Sequence, residues 1–137
     1  MNKKELFNNI KSKYGGVGSC AIWEKIDINK KPTYGIGNIS LFEDDKTIER
    51  FNPDIVFVGL NISKKIEEPF ANFHSKSVRA NDFKLRYAIQ DTCLEGAYMT
   101  DIIKDFEEKI SGKVISYLRK NPEFLKSNLL SFKEEID

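Results

Sequence analysis

The sequence contains few of the residues on which metal binding, disulfide bonding and membrane insertion depend. Its one histidine, His74, cannot by itself form a histidine-based metal site, and no Ser-His-Asp triad can be argued around it. Cys20 and Cys93 are far apart and form no CxxC spacing, which is typical of reduced thiols in a cytoplasmic protein. No apolar run approaches the roughly 18 residues of a membrane span, and no signal peptide follows Met1. We therefore expect a cytoplasmic protein without a metal, a cofactor or a membrane partner.

The chain also lacks an excess of charge of either sign. Its 22 basic and 21 acidic residues give a formal net charge of +1, so bulk basicity does not indicate a nucleic-acid partner. Residues 61–90 are the most basic window, with three acids (Glu67, Glu68, Asp82) and six bases (Lys64, Lys65, Lys76, Arg79, Lys84, Arg86). This window is either a local binding patch or a solvated face. With 137 residues, of which 40% are apolar, we expect a single domain over residues 1–137.

The most apolar stretch is the segment from Asp54 to Ser63. Its β-branched and aromatic residues predict a strand buried on both faces, as in a parallel sheet covered by helices. Gly59 is expected to let the backbone approach a neighbour closely. Asn61 and Ser63 follow at the carboxyl end of the strand, where open α/β sheets bind ligands. The alternative is a core strand that simply ends in a polar turn.

A second parallel strand is predicted for residues 96–103, and it carries Thr100 and Asp101 near its end. About 40 residues separate the ends of the two strands, which is enough for a βαβ crossover. Residues 64–80 between them mix aromatic and polar side chains without a clear period, which indicates a loop. Two strand ends and such a loop would together form a pocket.

The remaining segments complete an α/β prediction. Residues 2–13 are typical of a helix, which Asn2 and Glu5 can close with a capping box. Two extended segments, 19–24 and 35–42, are expected to pair as an antiparallel hairpin. Further helices are predicted at 44–51, at 82–90 with an Asp82–Arg86 pair, and on both sides of Asn121-Pro122.

Three motifs in this order carry a resemblance to a known family. They are Gly59-Leu60-Asn61-Ile62-Ser63, then Asn72-Phe73-His74, then Gly96-Ala97-Tyr98-Met99-Thr100-Asp101-Ile102. Together they resemble the first half of the uracil-DNA glycosylase superfamily, with its mismatch-specific branch the most similar. The resemblance covers roughly residues 50–110 and implies a three-layer αβα fold with a short, mainly parallel sheet. It further implies DNA repair by base flipping and hydrolysis of the N-glycosidic bond.

The resemblance also implies a role for individual residues. Asn61 matches the residue that positions the attacking water, and Phe73 (or Phe70) lies where an aromatic ring stacks on the extruded base. Thr100 and Asp101 match the residues that bind the base. The nucleic-acid contacts would be Ser63, His74, Lys76 and Arg79. From the residues alone, Phe73 could equally pack in the core, Asp101 could cap a strand end, and His74 could donate to the backbone.

Two positions and one segment differ from the family pattern. Ile62 stands where proline is usual, and Asp101 stands where an asparagine reads the base. No His-Pro-Ser-like segment follows Asn121-Pro122-Glu123, so we expect the chain to be the front half of such a domain. The alternative function is therefore a non-catalytic, truncated relative that binds a nucleotide, a nucleic acid or a protein. A sheet with so few strands exposes an edge, which predicts a homo-oligomer or a missing C-terminal half as its partner.

Overall fold

The computed structural model describes residues 1–104 and 106–137, which form a mixed α/β structure. The α/β class is confirmed, as are the N-terminal helix and the helix expected at 82–90. In chain order the elements are α1 (Lys3–Tyr14), β1 (Ser19–Cys20), a 3-10 helix (Ser40–Glu43), α2 (Asp45–Glu49), β2 (Asn52–Asn61), α3 (Asp82–Ile89), β3 (Ala97–Ile103), α4 (Ser111–Lys120) and α5 (Pro122–Ile136).

The sheet has the strand order β1-β3-β2. β2 and β3 are parallel, and their register pairs Val58 with Thr100 and Gly59 with Asp101. β1 is antiparallel to β3, with Ser19 opposite Met99. The two predicted strands are thus neighbours, and their carboxyl ends lie at the same edge of the sheet.

The expectation that β2 is buried on both faces is wrong. Its residues alternate along the strand: Ile55 and Phe57 pack against the core, whereas Val56, Val58 and Leu60 are 39%, 42% and 38% exposed. Among residues 1–104 and 106–137 the strand forms one edge of the sheet, with β3 as its neighbouring strand. A continuous apolar run predicts a strand but does not distinguish an interior strand from an edge strand.

The predicted antiparallel hairpin between residues 19–24 and 35–42 is also wrong. β1 pairs with β3 instead, and residues 33–37 form turns that lead into the 3-10 helix at Ser40–Glu43. Gly35 has a φ of +74°, a value that residues with a side chain rarely adopt and that does not occur in an extended strand. The weak alternation in this segment therefore belongs to a turn that packs Ile36 into the core.

Both faces of β3 are packed against other elements. On one face, Met99 contacts a cluster that contains Trp23, Ile36 and Ile89 of α3. On the other face, Tyr98 and Thr100 donate hydrogen bonds to a carboxylate of α5. Because side chains alternate along a strand, Asp101 projects on the same face as Met99, toward α3 and the segment that precedes it.

A second part of the core forms around α1. The predicted capping box is present, since Asn2 Oδ1 accepts from the Glu5 amide at 2.9 Å and Glu5 Oε2 accepts from the Asn2 amide at 3.0 Å. The helix buries Phe7 among aromatic rings with centroids 5.3–5.9 Å apart. These rings are Phe42, Phe51 and Phe70, so the aromatic Phe70 belongs to the core.

Candidate functional site

A cavity of about 220 Å³ opens where β2 and β3 end. Four of the residues singled out in the sequence line it: Asn61, Ser63, Phe73 and Asp101. The remaining wall comes from the segment between β2 and α3 and from the first turns of α3. Its lining there includes Lys64, Ile66, Ala71, Asn72, Ser75, Ala80, Asp82 and Leu85. Residues from three separate motifs therefore meet at one depression.

Asp101 is buried in the wall of this cavity and is held by Asn72. The Asn72 side-chain amide donates to Asp101 Oδ2 at 2.9 Å and to the Val17 carbonyl oxygen at 2.9 Å. Burial raises the pKa of the Asp101 carboxyl, while the hydrogen bond from Asn72 and the charge of Lys104 act in the opposite direction. The carboxyl can therefore carry a proton at a higher pH than an ordinary aspartate does.

Gly59 makes room for the Asp101 carboxyl. A Cβ atom at position 59 would lie 2.2 Å from Asp101 Oδ1 and 3.5 Å from Phe73 Cζ. The first distance is far inside van der Waals contact, so no other residue fits here without moving the carboxyl. The close approach that the sequence predicts at Gly59 is confirmed, and the group approached is the side chain of Asp101.

Phe73 contributes an aromatic ring to the cavity from an unusual backbone position. Its φ is +64°, in the left-handed region that a bulky residue rarely adopts, which costs on the order of 1 kcal/mol. The Trp23 indole N–H donates to the Phe73 carbonyl oxygen at 3.0 Å and helps to hold this conformation. The ring packs edge-on against Phe57, with centroids 6.1 Å apart, and stays half-buried. It is therefore both a packing residue and a wall of the cavity.

Asn61 has a fixed side-chain orientation at the end of β2. Its amide nitrogen lies 2.7 Å from the Glu108 carbonyl oxygen, 3.1 Å from that of Phe106 and 3.3 Å from that of Ile62. Three carbonyl acceptors require the nitrogen, and not the oxygen, at this position. Among the described residues none donates to the amide oxygen, which is thus the atom able to accept from a water or a ligand.

Asp82 is a site residue that the sequence reasoning missed. The predicted ion pair with Arg86 is wrong, because Asp82 Oδ2 instead accepts from the Ser75 amide at 2.8 Å and lines the cavity. Burial raises the pKa of this carboxyl, and the nearby Asp101 contributes in the same direction. An aspartate in the first turn of a helix is usually interpreted as a cap. The sequence therefore contains no signal that distinguishes a capping role from a role in the cavity.

Thr100 does not lie in the cavity. Its hydroxyl donates to Glu135 Oε1 at 2.6 Å, on the opposite face of β3 from Asp101. Consecutive residues of a strand point to opposite faces, so only one member of the Thr100-Asp101 pair can face a given pocket. The role in base binding that the resemblance implies for Thr100 is therefore not supported by its position.

His74 is 4% exposed, and it borders a depression of about 760 Å³ next to the cavity. Its ring nitrogens lie 2.9 Å from the carbonyl oxygens of Asn72 and Ile22, and the ring stacks on Trp23 with centroids 5.3 Å apart. Burial lowers the pKa of the imidazole, while the two carbonyl acceptors act in the opposite direction. The ring position is the alternative in which the histidine bonds to the backbone, and with both ring nitrogens occupied it does not support a contact from the ring to nucleic acid.

The exposed basic residues border two depressions that adjoin the cavity. One, of about 760 Å³, shares Lys64, Ala71 and Ser75 with the cavity and adds Lys76. The other, of about 420 Å³, shares Ser63, Lys64 and Ala80 and adds Arg79. Lys64 lines all three, and Glu67 and Glu68 are the acids on the larger side. The basic window is only partly a surface patch, since the Arg86 side chain is buried.

Two further properties concern the part of the chain that the structure describes. Within residues 1–104 and 106–137, no group of three or more His, Cys, Asp or Glu side chains is arranged to hold a metal ion. Among the same residues, no helix is both long and apolar enough to cross a membrane. The free thiols are Cys20, which is buried, and Cys93, which is exposed.

The comparisons with known proteins give no relative from which a role could be transferred. The chain matches no model of a protein family, no curated protein and no solved structure.

Proposed function

We propose that the protein is a DNA base-excision N-glycosylase that hydrolyses the N-glycosidic bond of a flipped base with a positioned water. One observation carries this proposal: Asn61, Phe73 and Asp101, from three separate motifs, line a single cavity. The cavity of about 220 Å³ has room for one nucleobase. A base inside a duplex cannot enter such a cavity unless it is extruded.

Each of the three residues has an atom suited to one part of the reaction. The Asn61 amide oxygen can accept from a water while the amide nitrogen stays fixed on backbone carbonyls. Phe73 offers a ring face or edge for stacking on the base. The reaction passes through a sugar cation, which the two carboxyls of Asp82 and Asp101 would stabilise when ionised. Because an amide is a poor base, we expect slow turnover.

The buried Asp101 carboxyl would select the base. When ionised it only accepts hydrogen bonds, which suits the exocyclic amines of cytosine and adenine. When protonated, which burial favours, it can also donate to a carbonyl oxygen such as that of uracil. The base preference should therefore depend on pH.

The groove around the cavity supports DNA as the partner. Lys64 borders the cavity and both adjoining depressions, with Lys76 on one side and Arg79 on the other. Phosphates on either side of an extruded nucleotide would meet these cations, and such contacts supply most of the sequence-independent affinity.

We also propose that the fold is a three-layer uracil-DNA glycosylase-like domain. This is supported by the parallel β2–β3 pair and by the packing of α3 and α5 against opposite faces of β3. A cytoplasmic location belongs to the same proposal.

The test is a base-release assay on labelled single- and double-stranded oligonucleotides that contain uracil, hypoxanthine, or mismatched cytosine or adenine. Alkaline cleavage reveals each abasic site. We expect cleavage by the wild type, its loss in Asn61→Ala, and an altered base preference in Asp101→Asn. Asn9→Ala, an exposed asparagine on α1, is the matched control and should retain full activity. Equal cleavage by Asn61→Ala and the wild type would contradict the role of Asn61.

A second candidate is a non-catalytic relative that binds a nucleotide, a nucleic acid or a protein in the same cavity. It is favoured by the segment after Asn121, which forms the helix α5 and carries no His-Pro-Ser-like motif. This candidate predicts no base release on any substrate but saturable binding of an oligonucleotide, weakened in Phe73→Ala. The two candidates are thus separated by comparing cleavage and binding in one preparation.

A further inference from the structure

A second cavity, of about 460 Å³, lies between the 26–32 loop and α3. None of its lining residues is shared with the cavity at the strand ends. Its walls are mostly apolar: Ile26 and Pro32 come from the loop, and Phe83 and Tyr87 from α3. We call it the α3 cleft. Its size is in the range of pockets that take a small organic molecule.

The loop wall of the α3 cleft is held in place by the buried side chain of Arg86. The guanidinium donates to the carbonyl oxygens of Tyr34 at 2.7 Å, Pro32 at 2.8 Å and Glu24 at 3.1 Å. A planar guanidinium donates in fixed directions, so these three bonds fix both ends of the loop relative to α3. The cleft is therefore formed before any ligand arrives, which lowers the cost of binding.

Large apolar side chains at this cleft remain in water. Tyr87 is 80% exposed and Ile28 is 93% exposed, although both line the cleft. Tyr87 follows Phe83 by four residues, so the two rings lie on one face of α3. A ligand with an apolar body would remove this surface from water, at about 25 cal/mol per Å² buried.

The rim of the cleft is positively charged. Lys30, Lys31 and Lys84 line it, and among the described lining residues Asp27 is the one acid. The Asp27 carboxylate already accepts from the Asn29 amide at 2.9 Å. An apolar floor under several ammonium groups is complementary to a molecule that combines an apolar body with a negative charge.

We propose that the α3 cleft binds a small amphipathic anion: a free molecule with an apolar ring system or chain and one carboxylate, sulfonate or phosphate group. The apolar body packs on Phe83, Tyr87 and Pro32. The anionic group meets Lys30 and Lys84, whose flexible ammonium groups pair with any of these anions. This site is independent of the base-excision proposal, because the two cavities share no residue.

The test is a fluorescence titration with anilinonaphthalene sulfonate, and with phenylnaphthylamine as the neutral molecule of the same shape. We expect saturable binding of the anion at one site and weaker binding of the neutral probe. Lys30→Glu combined with Lys84→Glu should raise the Kd for the anion about tenfold. Lys120→Glu combined with Lys126→Glu, at exposed positions of α4 and α5, is the control and should leave it unchanged.

Amide chemical shifts locate the probe on the same samples. We expect shifts at residues 83–87, and their loss in Tyr87→Ser, an exposed substitution that should leave the fold intact. Shifts at the exposed face of β2 (Val56, Val58 and Leu60) would overturn the proposal, as would equal binding of the neutral probe. Lysine-dependent attachment to anionic lipid vesicles in place of saturable probe binding would assign the surface to a membrane, and would also overturn it.

Discussion

Gly59 determines how closely β2 can approach the Asp101 carboxyl. We predict that Gly59→Ala forces the carboxyl or β2 to move, since the new Cβ would lie 2.2 Å from Asp101 Oδ1. Overpacking of this kind should lower the free energy of unfolding by about 1–3 kcal/mol. Denaturant unfolding measures the change. The matched control is Gly112→Ala in the first turn of α4, where nothing lies within 4 Å of the added Cβ, so the substitution should not lower the free energy of unfolding. Equal effects of the two substitutions would contradict the account.

The two carboxyls of the cavity should make stability depend on pH. Burial raises the pKa of Asp101 and Asp82 above the ordinary value of 3.8. A carboxyl with a raised pKa in the folded state binds its proton more tightly there. Its stabilising contribution is therefore complete below the unfolded pKa and is lost as the pH rises through the folded pKa.

Asp101→Asn removes this titration and retains an oxygen that can accept from Asn72. We predict that the variant becomes more stable relative to the wild type as the pH rises from about 4 toward 7. Denaturant unfolding at a series of pH values measures the difference. Asp54→Asn makes the same chemical change at an exposed position of β2 and serves as the control. A difference that stays constant, or that favours the wild type with rising pH, would contradict the prediction.

At the scale of elements, a buried ion pair connects α5 to the residue that follows β3. Lys104 Nζ lies 2.7 Å from Glu135 Oε2, and the two side chains are 10% and 0% exposed. The other carboxylate oxygen accepts from the hydroxyls of Tyr98 at 2.5 Å and Thr100 at 2.6 Å. The Lys4–Asp45 pair between α1 and α2 has a similar distance, 2.8 Å, but its side chains are 58% and 68% exposed.

The two ion pairs have similar N–O distances but differ in burial, so substituting the lysine of each pair shows how burial changes the cost of losing the cation. Lys104→Met leaves the Glu135 carboxylate buried without its cation, so we predict a loss of about 3–5 kcal/mol in the free energy of unfolding. Lys4→Met should cost at most about 1 kcal/mol, because water replaces the exposed partner. Adding Glu135→Gln to Lys104→Met should restore part of the loss. Similar losses in the free energy of unfolding for Lys104→Met and Lys4→Met would contradict this prediction.

The elements that the sequence predicts well are those with a local signal. The capping box of α1 and the apolar run of β2 depend on residues close together in the chain, and both elements are present. The partner of β1 is β3, about 80 positions away, and no local pattern specifies it. The exposure of Val58 depends on strand order, which is also a property of the whole sheet.

The same distinction between local and long-range signals applies to the candidate site. Placing Asn61 and Asp101 at neighbouring strand ends follows from the parallel pairing that the sequence predicts. The opposite placement of Thr100 follows from strand alternation once β3 is given, so it could have been excluded from sequence. Asp82 and the burial of His74 depend on how the segment between β2 and α3 folds back. That path is set by tertiary contacts such as the bond from the Trp23 indole to the Phe73 carbonyl oxygen.

At the scale of the whole molecule, β2 presents both a free strand edge and an apolar face. Val56, Val58 and Leu60 lie on this face, and within the described part of the chain no strand pairs with the outer edge of β2. Edge strands of this kind tend to pair with other chains unless a charge interrupts them.

We predict that the wild type self-associates and that Val58→Lys shifts it toward the monomer without loss of stability, since Val58 is already 42% exposed. Sedimentation velocity over a range of concentrations measures the change. Ile115→Lys on α4, at 39% exposure, is the matched control and should not alter association. A wild type that is monomeric at all concentrations would contradict the prediction.

The central claim is that the cavity at the ends of β2 and β3 binds a nucleobase. It is tested most directly by titrating free cytosine, adenine and uracil into the protein while amide chemical shifts are recorded. The account predicts saturable shifts at Asn72, Phe73 and Asp101, with an order of affinities that changes in Asp101→Asn. Shifts confined to other surfaces, or no saturable shifts with any base, would contradict it, because the glycosylase and a relative that binds a nucleotide or a nucleic acid both need a base in this cavity.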